Sequence, residues 1–497
     1  MKNKIVFFIV GFLFLSTFFV FAEDSAKLPR IIIQSTQNGG SNDFVTEPVA
    51  KHVKEAQKSW FDYSKANLPD PWYEACAIST QDEQGETLLD YAEGQVKVRG
   101  NWTTNYDKKS LRIKFDKKQN MLNLHNGEKY KNWVLLACWK DSSLLRDAVA
   151  FKMYKTMFPE YYVSEGKLVD VYINNEYWGV YLLAEQQETK KGRVAITEPD
   201  KDYKGTDIGY FIELDSYSYT EAENERFEIN YIGKITDYYG EAIARRFLQS
   251  GYTIKSDVYD SAQKSFIQNY MNNLWKICYN AVYKKKYYRF KENYTLEKYK
   301  PAGKTDDEKC KNCISQIIDL KSLADMYIYN EIVCDPDIYL TSFFMDIDFG
   351  QDGDKLLRFE APWDFDSTMG NKCHCANARG MFAGAVGYEV NYEQRGTGNP
   401  WMFIFIKQNW FRELVKSEWE NIKVANPEKA AIDLIDSYSV YSQSFEFNRE
   451  RWGNPGEDWE LCEASQSAAQ TSWNASAEYL KSWLTKRFEA VDQLFTP

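Results

Sequence analysis

Apolar and polar residues alternate in short runs through roughly the first two hundred positions, then give way to helical spacing. Residues 29–34 open an Ile-rich strand, and 72–80 and 94–99 alternate with the period of two that marks half-buried strands. The clearest run is 109–115. Leu111, Ile113 and Phe115 point to a core, while Ser110, Arg112 and Lys114 share the other face. Residues 133–137 read as another strand. Asp141-Ser142-Ser143 then precedes a helix over 144–157 that Pro159 ends. A hairpin is expected from 169–173 and 177–184 about the turn Asn174-Asn175-Glu176, and 209–215 adds one more strand. The stretch 215–249 mixes both signals. Helical periodicity marks 261–283, 314–332, 409–424, 430–449 and 467–495, and a second hairpin is expected from 339–348 and 355–359 about Gly350 and Gly353. The fold class is α+β, a β-rich N-terminal half followed by a helix-rich one.

The first residues change where this fold is expected to work. Lys2 and Lys4 precede a 17-residue apolar run, and Val20-Phe21-Ala22 offers a signal-peptidase site, so 1–22 reads as a cleaved leader. The alternative is an uncleaved anchor, since the run is near the lower length limit for a span. No later segment approaches that length. The expected location is secreted, extracellular or cell envelope. Net charge is −11, and −13 once Lys2 and Lys4 leave with the leader, which argues against sequence-independent nucleic-acid binding. Three His leave little room for His-driven hydrolysis. The 80 aromatic residues (35 Tyr, 30 Phe, 15 Trp) supply a large core and leave sugar binding open. Four of nine Cys form two close pairs, Cys310 with Cys313 and Cys373 with Cys375. They read as two disulfides between the segments, as one tetrahedral zinc site, or as free thiols.

Candidate chemistry concentrates in Pro362-Trp363-Asp364-Phe365-Asp366, with Asp335-Pro336-Asp337 upstream. Two carboxylates one residue apart, ahead of Gly370, make a hard oxygen site suited to Mg²⁺ or Mn²⁺. Separated carboxylates gathered on a divalent cation are working parts of phosphoryl transfer. The alternative reading is that Asp, Pro and Gly here simply make turns. Arg112 and Lys114, on one strand face, are either solvated surface or phosphate contacts. The order of elements parallels the protein-kinase-like fold: a basic strand, then a helix, then a lobe connection, then Asp337 five residues before Ser342.

The chain resembles the spore-coat-protein-H (CotH) kinase family. The resemblance rests on Val98-Arg99-Gly100-Asn101, on residues 108–115, on 133–137 followed by Asp141-Ser142-Ser143-Leu144-Leu145-Arg146-Asp147, on 171–181 and 209–215, and on the two acidic motifs. It spans about residues 30–425. It implies an atypical two-lobed kinase-like fold: a β-rich N-terminal lobe over 23–190, a helix-rich C-terminal lobe with the acidic motifs over 191–425, and a helical extension over 426–497. It also implies ATP- and metal-dependent phosphorylation of Ser or Thr on secreted or surface proteins. Asp337 would be the catalytic residue. Asp364, Asp366 and Ser342 would hold the metal, while Lys109, Arg112, Lys114 and Glu185 would bind the nucleotide. Ser342 stands where many kinase-like folds place Asn, and no Gly-rich phosphate loop is evident. The competing expectation is therefore an inactive surface, coat or carbohydrate-binding protein.

Overall fold

The computed structural model describes residues 26–59, 61–389, 394–453 and 460–496. The expected leader lies outside the described residues. Among those described, no helix is long and apolar enough to cross a membrane.

Seven strands close into a barrel: β1 (Arg30–Ser35), β2 (Glu74–Gln81), β3 (Thr87–Val98), β4 (Leu111–Gln119), β5 (Tyr130–Leu136), β6 (Gly166–Ile173) and β7 (Glu176–Glu185). Their order is β1-β2-β3-β4-β5-β7-β6, all antiparallel except the closing β6–β1 pair. Two short helices, α1 (Asp43–Thr46) and α2 (Lys51–Ser59), fill the connection from β1 to β2. The expected alternation on β4 holds. Leu111, Ile113 and Phe115 are buried in the barrel with Ile31, Val96, Val98 and Trp133, as a small closed barrel requires. On β5 to β7 both faces are covered, because Val134, Leu136, Leu168, Val180 and Leu182 point outward into the larger core, where α3 (Arg146–Met157) lies against β6 and the helix 442–452 against β7. That double burial is why the run 177–184 is so uniformly apolar.

A second, antiparallel sheet has the order β13-β8-β10-β9, built from β8 (Gly209–Asp215), β9 (Arg226–Phe227), β10 (Gly251–Ile254) and β13 (Phe343–Asp348). β11 (Tyr288–Phe290) and β12 (Leu296–Lys298) form a small hairpin beyond it. The expected hairpin of 339–348 with 355–359 is only half realised. β13 pairs with β8, and the return segment touches β13 through the single bridge Asp346–Arg358. β8, buried along its whole length, competes successfully for that edge.

Helices make up most of the remainder: α4 (Ser261–Tyr279), α5 (Asp306–Ile314), α6 (Leu320–Val333), α7 (Pro400–Phe403), α8 (Asn409–Ala425), α9 (Pro427–Ser437), α10 (Ser442–Trp452), α11 (Glu463–Thr471) and α12 (Trp473–Phe495). Two expected helices are each broken in two, at 438–441 and at Ser472. At Ser472 the extended backbone caps α12 through its hydroxyl. The molecule is thus a mixed α+β protein, with a barrel first and helices after it. The described helices after residue 426 pack closely on the rest. Arg487 of α12 is fully buried, 2.8 Å from Glu331 of α6, and its other donors reach the carbonyls of Glu331, Ala378 and Gly380.

Candidate active site

A cleft of about 1900 Å³ opens between the barrel and the second sheet. One wall is the β3–β4 edge. Register pairs Lys97 with Arg112, and Arg99 follows one pleat further along, so three cations face the cleft. Arg99 stacks over the Trp363 ring at 5.6 Å, and Lys97 lies 4.8 Å from the Tyr73 ring. Burial and mutual repulsion hold both side chains below their usual pKa ranges, with Asp364 the nearest opposing charge for Arg99. Among the described residues, neither has a carboxylate within ion-pair distance. Arg112 has only Glu188, at 3.9 Å. Lys97 and Arg99 alternate with the buried Val96 and Val98, the same signal that exposed Arg112; the sequence singles out Arg99 only as the start of Arg99-Gly100-Asn101-Trp102, the nearest substitute for a phosphate loop, and Lys97 not at all.

The opposite wall carries the acidic turns. Asp337 lies just beyond α6, and Lys372 Nζ donates to its Oδ2 at 3.0 Å. Burial raises a carboxyl, but Lys372 more than offsets this and brings Asp337 below its usual range, with Lys140 and His374 helping. Asp364 is exposed to the cleft and adopts a left-handed backbone (φ 71°), a conformation Asp tolerates better than most residues. Loss of hydration, with Asp366 and Asp337 nearby, pushes its carboxyl up to about 7, against the pull of Arg99 and Lys372. Ser342, also left-handed, donates its hydroxyl to Asp364 Oδ2 at 3.4 Å. Asp366 is raised chiefly by burial, and Lys140 and Lys372 draw it back.

The start of α3 fixes this motif. Asp147 Oδ1 accepts the Phe365 amide at 2.7 Å. Arg146, buried and paired with Asp141, donates to the carbonyls of Thr368 and Met369. Asp147 is itself held well above the usual carboxylate range by burial and by Asp366 and Asp364. From the other side, Gly370 (φ 79°) leaves no room for a side chain, since a Cβ there would meet the Trp483 ring of α12 at 2.4 Å.

The cleft therefore gathers Arg112, Asp337, Ser342, Asp364 and Asp366. Other expected site residues lie elsewhere. Lys109 is buried outside the cleft, and its ammonium donates to the carbonyls of Thr104 and Tyr106, holding the turn before β4. Lys114 lies on the right face but beyond the rim, exposed and 5.8 Å from Tyr73. Glu185 ends a strand buried on both faces. Its carboxylate turns inward to His125 Nδ1 at 3.0 Å and Arg193 Nε at 3.6 Å, and burial raises it. The three residues after it, Gln186, Gln187 and Glu188, are the ones that edge the cleft.

All nine cysteines are unpaired thiols. Cys310 and Cys313 sit near Cys278, whereas Cys375 sits near Cys334 and Cys462, so each expected pair has its own thiol neighbours. No three His, Cys, Asp or Glu side chains form a ready metal group among the described residues, which removes the four-thiol zinc site. A hard cation shared with substrate phosphates needs only one or two carboxylates, and Asp364 with Asp366 meets that lesser demand. Likewise, the uncompensated Lys97 and Arg99 suit a polyphosphate.

Comparison with curated proteins finds no match. The sequence profile described as "CotH kinase protein" matches residues 96–491, from β3 through nearly all of α12. That span takes in both cleft walls and the helix that braces them, and the chain belongs to the CotH kinase protein family.

Proposed function

We propose that this protein is an ATP- and metal-dependent kinase with an atypical two-lobed, kinase-like architecture, acting on Ser or Thr of secreted or surface proteins. One observation carries the reading: uncompensated cations on the β3–β4 edge face ionisable carboxylates across a single cleft. Lys97, Arg99 and Arg112 would hold the phosphates. Asp364 and Asp366, with the Ser342 hydroxyl, would hold Mg²⁺ or Mn²⁺. Bound there, the ion supplies charge neutralisation on the nucleotide phosphates. Asp337, kept ionised, accepts the proton of the acceptor hydroxyl as its oxygen bonds to the γ-phosphorus and the bond to the β-phosphate oxygen breaks. The leader-like residues 1–22 support export.

The test is transfer of label from γ-labelled ATP to candidate proteins, comparing wild type with Asp337→Ala and Asp364→Ala. Transfer that survives both substitutions removes the proposal. Aromatic side chains in the cleft, Trp102, Tyr106, Trp139 and Tyr217, favour the second reading, a carbohydrate- or coat-binding protein without catalysis. It requires glycan binding that ignores nucleotide and persists in both variants.

A further inference from the structure

Asp337 has two oxygens with different circumstances. Oδ2 is bonded to Lys372 at 3.0 Å, and Oδ1 has no partner among the described residues, although the residue lines the cleft. A carboxylate left to rotate presents either oxygen to an incoming hydroxyl. One pinned at Oδ2 presents Oδ1 in a fixed direction, and orientation of this kind lowers a reaction barrier. Lys372 is itself firmly placed. Its amide donates to the Ser367 carbonyl, it pairs in register with Leu461, and its side chain is only 12% exposed. Its ammonium also lies 3.9 Å from Glu460, which in turn grips Lys140. Lys372 stands six positions after Asp366, and the tight turn at Gly370 brings its charge back toward the carboxylate that would take the acceptor proton.

We propose that Lys372, steadied by Glu460, is the positioning residue for Asp337: it occupies one carboxylate oxygen so that the other meets the acceptor hydroxyl. This rests on the kinase reading. It adds a role for the segment just after Gly370, where a lysine turns back onto the acidic site. Other charges facing Asp337 are Asp335, Asp364, Lys140 and His374. Lys372 is hydrogen-bonded to the Asp337 carboxylate.

The experiment is steady-state kinetics of Lys372→Met, Lys372→Arg and Glu460→Gln against wild type, with nucleotide binding and thermal midpoints measured on each. Lys372→Met is expected to lower kcat on the order of 100-fold while the KM for ATP stays within about threefold. Lys372→Arg should recover to within about tenfold of wild type, and Glu460→Gln should fall between the two. An unchanged kcat in Lys372→Met overturns the proposal, as does a defect wholly in the KM for ATP. So does an arginine variant as inactive as the methionine variant while still folded and nucleotide-bound. Any of these results leaves the kinase reading intact. A wild-type protein that neither binds nor turns over ATP removes that reading, and this inference falls with it.

Discussion

The two walls of the cleft are built by opposite means. The barrel wall presents Lys97, Arg99 and Arg112 from hydrogen-bonded strands whose other face is buried, so the ladder fixes each cation while, among the described residues, leaving Lys97 and Arg99 without a carboxylate partner and Arg112 with Glu188 alone at 3.9 Å. The acidic wall presents its carboxylates from turns. Ser342, Ala361, Asp364 and Met369 all have left-handed backbones, and the motif is held from outside by Asp147, Arg146 and α12. A strand carries its own geometry, whereas a turn borrows it. Damage to the first wall should therefore stay local, and damage to the braces of the second should spread.

Substitutions can set the walls against each other. Asp364→Ala should cost on the order of 10³-fold in phosphoryl transfer with the fold intact, because it removes charge placed for the transition state. Circular dichroism alongside the label-transfer assay checks both halves of that statement. Arg487→Met, far from any cation of the barrel wall, should destabilise by about 3–5 kcal/mol because Glu331 is left buried and unpaired; chemical denaturation measures it. Arg99→Met should weaken nucleotide binding about 10- to 100-fold with a nearly unchanged melting temperature, since it removes charge-assisted contacts and, of packing, only the guanidinium over the Trp363 ring. A melting temperature that falls with Arg99→Met would erase the contrast between the walls.

A smaller effect sits at the rim. His52, buried beside the Tyr217 ring at 4.4 Å, is pushed down to about 4 by burial, with Glu55 opposing. Between pH 6.5 and 4 the unfolded chain binds the extra proton and the folded chain does not, so stability falls as pH drops through that window. The loss should be about 2 kcal/mol, and His52→Gln should flatten the profile. Least of all, Lys114→Ala should leave nucleotide affinity within about twofold, because that side chain lies past the cleft.

Strand periodicity made the barrel wall legible: the alternation of 109–115 located the inward set and placed Arg112 correctly. Alternation set Lys109 apart from Arg112 and Lys114; its nucleotide role came from the family resemblance, and in the structure it precedes the ladder and staples the turn before β4. Lys97 and Arg99 carried the same alternation and needed only the pairing partner to be recognised. In the acidic wall, residue type alone singled out Asp337, Asp364 and Asp366. Their mutual placement was not legible, because left-handed turns and a bracing helix more than a hundred residues downstream leave no local periodicity. The split helices at 438–441 and Ser472 were missed for a related reason: Tyr438-Ser439-Val440-Tyr441 continues the apolar spacing through the first break, and the second is a single serine. The cysteine spacing suggested one cluster, and folding gave each pair separate company.

The buried clasp between Arg487 and Glu331 has a consequence in time. Translation delivers the barrel before α12, so the loop that Arg487 anchors at Ala378 and Gly380 stays unsecured until that helix has been made. A nascent chain that stops short of α12 carries every acidic residue of the motif and still lacks both this clasp and the Trp483 ring that closes on Gly370.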